Sequence, residues 1–294
     1  MDISIIIVNF KSKEFTEKCI KSIYENTKNI SFEIIVVDNN SEDGCIELLA
    51  DKFPKVIGYK NAENAGFSKS CNIAIKMAEG RYLLLLNPDT VIFDSTLEKM
   101  VEYMDKHADI GVAGCRVENP DGSLQRACRR SIPTPKVAFF QLSGLSKLFP
   151  KSKDLAKYNL SYIDENQELE VDAVSGAFLT FRREVYDQIG GLDEDYFMYA
   201  EDIDFCFRAK QKGWTVMYYP EARITHFKGQ SSKYMSMKAT KAFYDSMEIF
   251  FRKNYSNNTN PILRVLVIFG IWFLKRIAIL KVLIRNGRSV GSKG

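Results

Sequence analysis

The chain has 294 residues, 46% of them hydrophobic, and a net charge of +4 at pH 7. That length supports one large domain with or without an appendage, and that hydrophobic content excludes a disordered chain. The charge is too small to indicate a nucleic-acid partner, but its distribution is uneven. Nine Lys or Arg and no acid follow Glu248, so the first 248 residues carry a net negative charge of five. Six cysteines (Cys19, Cys45, Cys71, Cys115, Cys128, Cys206) form no C-x-x-C pair. This fits reduced, buried thiols in a cytosolic protein better than a disulfide frame or a zinc site. No basic segment precedes the strand pattern that begins at Ile3, so no signal peptide is expected.

Ile3 to Val8 is a β-branched apolar run that predicts a buried strand ending at Asn9-Phe10. Ser12 is placed to cap a helix whose stripe is Phe15, Cys19, Ile20 and Ile23. Glu33 to Asp38 predicts a second strand closing on Asn39-Asn40-Ser41, and Val56 to Tyr59 a short third. A helix follows from Ser68 to Ala78. Arg81 to Leu86 is a fourth strand closing on Asn87-Pro88-Asp89, and a helix from Ser95 to Lys106 leads to a fifth, Ile110 to Cys115. Strands that alternate with helices and are apolar throughout predict a mostly parallel sheet covered on both faces. Ligands of such sheets bind beyond the carboxyl ends of the strands. Asn9, Asp38 to Ser41 and Asn87 to Asp89 all fall at that edge.

From Asn119 to Gln167 the alternation stops, which predicts an insertion over the sheet edge. Its Arg126, Arg129 and Arg130 are placed either to meet phosphate or to be solvated. Val174 to Leu179 resumes the core. Glu201, Asp202 and Asp204 then crowd into four residues. As a helix start they suit the helix dipole, and as a site they suit removal of a proton from a hydroxyl. Strands are expected at Val216 to Tyr219 and at Ala222 to Thr225, the second ending at His226.

Residues 236–256 predict a helix, and Pro261 opens another to about Ile284. On that helix Arg264, Lys275, Lys281, Arg285 and Arg288 fall within an arc of about 140°, with Arg276 outside it. The longest uncharged run, Val265 to Leu274, is too short to span a bilayer. The pattern suits a basic amphipathic helix on an anionic leaflet; the alternative is a helix packed on the body or on a second copy in a homo-oligomer.

The ordered set Ile5-Ile6-Ile7-Val8-Asn9-Phe10, Val36-Val37-Asp38-Asn39-Asn40-Ser41, Asn64-Ala65-Gly66-Phe67, Leu86-Asn87-Pro88-Asp89, Ser175-Gly176-Ala177-Phe178, Glu201-Asp202-Ile203-Asp204 and His226 resembles the family 2 glycosyltransferases of GT-A fold, in particular their rhamnosyltransferase-like branch. The resemblance covers about residues 1–250, with residues 251–294 as a basic helical tail. It implies an inverting transfer from a dTDP- or UDP-linked sugar, rhamnose in that branch, to a lipid-linked or cell-surface polysaccharide acceptor. It also implies a location peripheral to the cytoplasmic face of the cell membrane, with no nucleic-acid partner.

By the same resemblance Asp38 accepts a hydrogen bond from the nucleotide base, while Asn9, Asn64 and Lys69 hold base, ribose or diphosphate. The family's Asp-x-Asp metal motif is Asn87-Pro88-Asp89 here, so one carboxylate is an amide. Asp89 and His226 would ligate Mn²⁺ or Mg²⁺. Asp202 would be the catalytic base, with Glu201 and Asp204 positioning it or the acceptor. The Gln-x-x-Arg-Trp motif of processive members is absent, so one sugar is expected per encounter. The alternatives from other classes are a sugar-nucleotide nucleotidyltransferase, which would need a glycine-rich phosphate loop after the first strand, and a non-catalytic glycan- or nucleotide-binding membrane protein.

Overall fold

The structure, a computed structural model, describes residues 1–229 and 236–291. Its elements alternate through the first half: β1 (Ile3–Asn9), α1 (Lys13–Asn26), β2 (Phe32–Asp38), α2 (Cys45–Lys52), β3 (Ile57–Lys60), α3 (Phe67–Met77), β4 (Tyr82–Leu86), β5 (Thr90–Ile92), α4 (Thr96–Lys106) and β6 (Ile110–Glu118). The insertion holds β7 (Arg129–Arg130), α5 (Pro135–Leu142), α6 (Leu145–Leu148) and β8 (Leu169–Glu170). β9 (Ala173–Val174), β10 (Phe178–Arg182), α7 (Arg183–Ile189), α8 (Glu201–Gln211) and β11 (Thr215–His226) follow, and α9 (Ser236–Asn254) and α10 (Pro261–Gly291) close the chain.

The main sheet has the order β3-β2-β1-β4-β10-β6-β11-β5, with β8 pairing on β11. β1, β2, β3, β4, β6 and β11 run one way, and β5, β8 and β10 run against them. The sheet is therefore mostly parallel but mixed. The runs Ile3 to Val8 and Tyr82 to Leu86 are buried along their whole length, as strands covered on both faces must be. β3 is the exception, exposed at all four residues because it is the sheet's edge.

Several expectations change at the level of hydrogen bonds. Ser12 sits at the start of α1 but its side chain does not cap the helix. Its hydroxyl donates instead to Asn9 Oδ1, 2.9 Å away, so the end of β1 holds the start of α1. The two strands expected around Pro220 are one strand, β11, whose register against β6 shifts between Tyr219 and Arg223. Proline has no N–H for the ladder, and a bulge absorbs that gap. The stretch Val174 to Leu179 resumes the core as expected, in two pieces: β9 pairs with β7 in a small second sheet, and a turn at Ser175–Ala177 separates it from β10.

The six cysteines are all buried and free. α9 packs on the body: Ser246 Oγ donates to Met198 O at 3.0 Å, and Phe250 meets Phe207 with ring centroids 5.9 Å apart. α10 packs on α9 along a stripe that includes the buried Ile271, and Lys275 pairs with Asp245 of α9. The expected basic arc is therefore divided. Lys275 faces the protein, because Asp245 attracts it, whereas Arg276, outside the arc, is exposed with its guanidinium over Trp272. Among the described residues no helix is long and apolar enough to cross a membrane. Gln230, Ser231 and Lys293 lie outside the described residues, as does the side chain of Arg288.

One glycine is demanded by the fold. Gly66 has φ +89° and ψ 175°, a region in which a side chain is strained. A Cβ there would lie 2.6 Å from the carbonyl oxygen of Phe197, which also accepts a hydrogen bond from Phe67 N. Gly66→Ala should cost about 1–3 kcal/mol, read as a lower urea midpoint at unchanged slope.

Candidate active site

The site forms where β1, β2 and β4 end side by side, with Asn9 opposite Asp38 in register. Asn9 is fully buried and its amide is spent inside the protein. Nδ2 donates to Asp38 Oδ1 at 2.6 Å, and Oδ1 accepts from the hydroxyls of Ser12 and Thr16 at 2.9 and 3.0 Å. Asn9 thus braces Asp38 and does not reach an open surface as expected. Asp38 is also buried, its Oδ2 accepting from Ser41 N at 3.0 Å. A carboxylate has about four lone-pair positions, so these bonds leave Asp38 further acceptor capacity. Around this edge Lys11, Asn40 and Glu42 adopt positive φ without being glycine, a local strain typical of ligand-binding loops. Asn64 is partly buried and bends its own loop, Oδ1 accepting from Gly66 N at 3.1 Å. Lys69 is exposed on the first turn of α3.

Asn87, Asp89 and His226 converge. β11 pairs antiparallel with β5, which puts His226 opposite Thr90, next to Asp89. His226 Nε2 lies 3.1 Å from Asp89 Oδ1 and 3.3 Å from Asn87 Nδ2. The other ring nitrogen is held by a residue that motif reading missed. His226 Nδ1 is 2.9 Å from Gln125 Oε1, and Gln125 Nε2 donates to His226 O at 2.7 Å. An amide oxygen can only accept, so Nδ1–H is held on Gln125 and Nε2 is the ring nitrogen turned toward Asp89. A carboxylate and an imidazole nitrogen at that distance either share a proton or turn together to one cation. Among the described residues no three His, Cys, Asp or Glu side chains cluster as a closed metal site. One carboxylate, one imidazole and one amide suit a hard divalent ion that takes its remaining ligands from substrate phosphate and water.

The acidic stretch begins α8, and it is buried: Glu201, Asp202 and Asp204 all lie inside. Two consecutive residues before it, Tyr199 and Ala200, have φ of +72° and +63°, which turns the chain sharply into the helix. Asp202 Oδ2 accepts from Arg130 Nη2 at 2.7 Å and from Gly176 N at 2.9 Å, while Oδ1 accepts from Ile203 N at 2.8 Å. Asp204 pairs with Arg208 one turn on, at 2.7 Å. It is thus tied to its own helix, and burial raises its pKa above the usual carboxylate value.

Glu201 Oε2 is buried with no hydrogen-bond partner. Burial first, and then the charge of Asp202, push the Glu201 carboxyl up to about 8.

The insertion arginines neither meet an open phosphate site together nor are uniformly solvated. Arg130 is buried against Asp202 and Val174 O; Arg129 is buried with its guanidinium on the carbonyls of Asp164 and Ile163; only Arg126 is exposed. Two short strands explain the burial. β7 pairs with β9, and that pairing draws the arginines inward.

The Ser175–Ala177 turn joins the two halves of the site. Asn87 N donates to Ala177 O at 3.2 Å, and the neighbouring Gly176 N donates to Asp202. A family model described as "Glycosyltransferase like family 2" matches residues 1–242. The chain belongs to this family. It is 24% identical over 263 residues to the N-acetylglucosaminyl-diphospho-decaprenol L-rhamnosyltransferase of Mycobacterium tuberculosis, covering 86% of this chain and 84% of that one. Rhamnosyltransferase WbbL of Escherichia coli K12 is 24% identical over 266 residues, with 87% and 95% covered.

Among solved structures, the mannosyltransferase PcManGT from Pyrobaculum calidifontis, in complex with GDP-Man and Mn²⁺, superposes with a TM-score of 0.59 at 14% identity, over 98% of this chain and 75% of that one. S. aureus TarS 1–349 in complex with UDP-GlcNAc gives 0.57 at 16% identity, over 95% and 82%. GalNAc-T7 with UDP, GalNAc and Mn²⁺ also gives 0.57 at 16% identity, and this chain spans only 44% of its length. The fold is that of the GT-A glycosyltransferases, and the protein is a glycosyltransferase.

The raised Glu201 carboxyl has a thermodynamic signature. Between the ordinary glutamate range and about 8 the unfolded chain releases this proton while the folded protein retains it. Stability therefore falls as pH rises through that window. Glu201→Gln should flatten this dependence, measured as Tm across the window in the variant and the parent.

Proposed function

We propose that this glycosyltransferase is an inverting, metal-dependent, non-processive hexosyltransferase. It would move a sugar, rhamnose by its relatives, from a dTDP- or UDP-linked donor to a lipid-linked or cell-surface polysaccharide acceptor. The observation that carries the reading is the Ser175–Ala177 turn, bonded to Asn87 on one side and to Asp202 on the other. It ties the Asn87–Asp89–His226 group to a rigidly held carboxylate, the pairing that a single displacement at an anomeric carbon needs.

In this reading the nucleotide lies along the carboxyl edge of β1 and β2. Asp38 accepts from the base, and Asn64 and Lys69 stand on the flanking loop and helix. Asp89 and His226 would hold Mn²⁺ or Mg²⁺, with Asn87 beside them. The ion, when bound, neutralises charge that develops on the leaving diphosphate. Gln125 keeps the His226 lone pair aimed at that position. Asp202 takes the proton of the attacking acceptor hydroxyl on the opposite side. Arg130 and Gly176 fix the plane of its carboxylate, and Glu201 lines the same end of α8. The rhamnosyltransferase relatives, one of them named for a diphospho-decaprenol acceptor, support both the sugar and the lipid-linked acceptor.

A nucleotidyltransferase is not favoured. It would need a glycine-rich loop after β1, and the segment Phe10–Ser12 contains no glycine.

We also propose that the tail, residues 251–294, lies on the cytoplasmic leaflet. α10 exposes Ile262, Val265, Leu266, Phe269, Trp272 and Phe273 together with Arg276, Lys281 and Arg285. A chain ending at Asn260 should lose most of its pelleting with anionic vesicles, and unchanged pelleting would remove the tail from this role.

For the chemistry, Asp202→Asn should reduce transfer by at least about a thousandfold while the variant still binds the nucleotide sugar by titration calorimetry. Turnover near the parental rate would overturn the assignment of the base. Chelation should abolish transfer, and added Mn²⁺ should restore it.

A further inference from the structure

The insertion carries a surface that the site does not use. Between Asp121 and Asp154 the chain has no acidic residue. α5 and α6 form a short helical arm there, joined through Gly144 at φ +82°. Its inner side is fixed to the protein. Thr134 caps α5 by accepting from Val137 N, Val137 and Ser146 are buried, and Ser146 Oγ donates to Gln141 Oε1 at 2.8 Å.

Its outer side is apolar. Phe139, Leu142, Leu148 and Phe149 are exposed to 62%, 40%, 73% and 53%. Lys136, Lys147, Lys151, Lys153 and Lys157 are exposed around them, against the single exposed acid Asp154. An anchored arm that ends in bare aromatic and leucine side chains, rimmed by one sign of charge, is not a solvated loop. The bare side chains suit the headgroup–acyl boundary and the lysines suit anionic headgroups.

The arm also stands close in the chain to the chemistry. Thr134, its capping residue, is four positions after Arg130, which bonds Asp202 at 2.7 Å.

We propose that the α5–α6 arm is a second surface that docks on an anionic lipid leaflet, separate from the α10 tail. For its purpose the proposal rests on the reading above: an arm seated on the leaflet would bring Asp202 to the height at which a lipid-linked acceptor presents its hydroxyl. The docking itself is measured without any sugar transfer.

The test uses the full chain and co-sedimentation with phosphatidylcholine vesicles, with and without phosphatidylglycerol. Two triple variants are compared with the parent: Phe139→Ser with Leu148→Ser and Phe149→Ser, and Lys147→Gln with Lys151→Gln and Lys153→Gln. All six positions are exposed, and an unchanged Tm shows that each variant folds. Each should weaken partition onto phosphatidylglycerol-containing vesicles by at least about tenfold with the tail intact. The lysine variant should also show a smaller preference for the anionic lipid, the remainder being the tail's.

Parental binding by both variants would overturn the proposal. So would a change from dimer to monomer on gel filtration with vesicle binding intact, because the arm would then be a contact between copies. Asp202→Asn is the control that separates the two claims. It should bind vesicles as the parent does, so failure of the assigned chemistry leaves the docking result standing.

Discussion

The bond between Arg130 and Asp202 is the contact on which the site depends. Arg130 lies on a two-residue strand in the insertion, and Asp202 opens a helix 72 residues later. Both are buried, and each charge offsets much of the cost of burying the other. The pair is supported on each side: Arg130 also donates to Val174 O, and Asp202 also accepts from Gly176 N. β7 pairing with β9 brings the arginine to that depth. The insertion is thus a wall of the site and not an ornament on the sheet edge. The same segment supplies Gln125, which holds the His226 ring through Nδ1 and the His226 carbonyl. One stretch of about six residues therefore orients a metal-ligand candidate at one end and a carboxylate at the other.

The order at the sheet edge is built the same way, from polar side chains that support others. Asn9 ties Asp38, Ser12 and Thr16 together, so the ends of β1 and β2 and the start of α1 move as one piece. Buried networks of this kind hold their geometry only when every member has partners. Glu201 is one departure, with a carboxyl oxygen that has no hydrogen-bond partner inside the protein and a raised pKa. Together with left-handed Tyr199 and Ala200 it marks the start of α8 as a place where folding energy is given up. Such concessions concentrate where a ligand is to be met.

The alternation of buried strands and amphipathic helices was legible because it depends only on local period. β1, β2, β4 and β6, and the polar residues at their ends, follow from it directly. The pairing of Asp89 with His226 was legible only through the ordered set of motifs, since nothing in the local pattern says that β5 and β11 lie side by side. The buried arginines were not legible. Arg129 and Arg130 sit in a polar, proline-bearing stretch, and their depth is set by the two-residue strand β7 and its contact with β9. Lys275 shows the same limit on the tail: its place on the helix arc is a sequence property, while its turn toward Asp245 depends on α9. Gln125 was missed for a related reason, because its partner His226 lies far off in sequence and leaves no local signal. Ser12 differs from expectation because its hydroxyl has a choice of nearby partners, and it bonds Asn9 rather than the helix start.

The tail and the arm reach α8 by separate routes, one from the C-terminal helices and one from the middle of the chain. α9 bonds to Met198 through Ser246 and meets Phe207 edge-to-face through Phe250, so it grips the segment that leads into and through the acidic helix. α10 packs on α9 and leaves its other face apolar. The arm, for its part, is joined through Thr134 to the strand that holds Asp202. A surface engaged by α10 or by the arm is therefore coupled to α8 through short, packed connections rather than through a flexible linker. In a protein whose first 248 residues are net acidic, an anionic leaflet would repel the body and attract these two basic elements. In the membrane reading proposed above, that charge asymmetry would hold the α8 side toward the surface that attracts its neighbours.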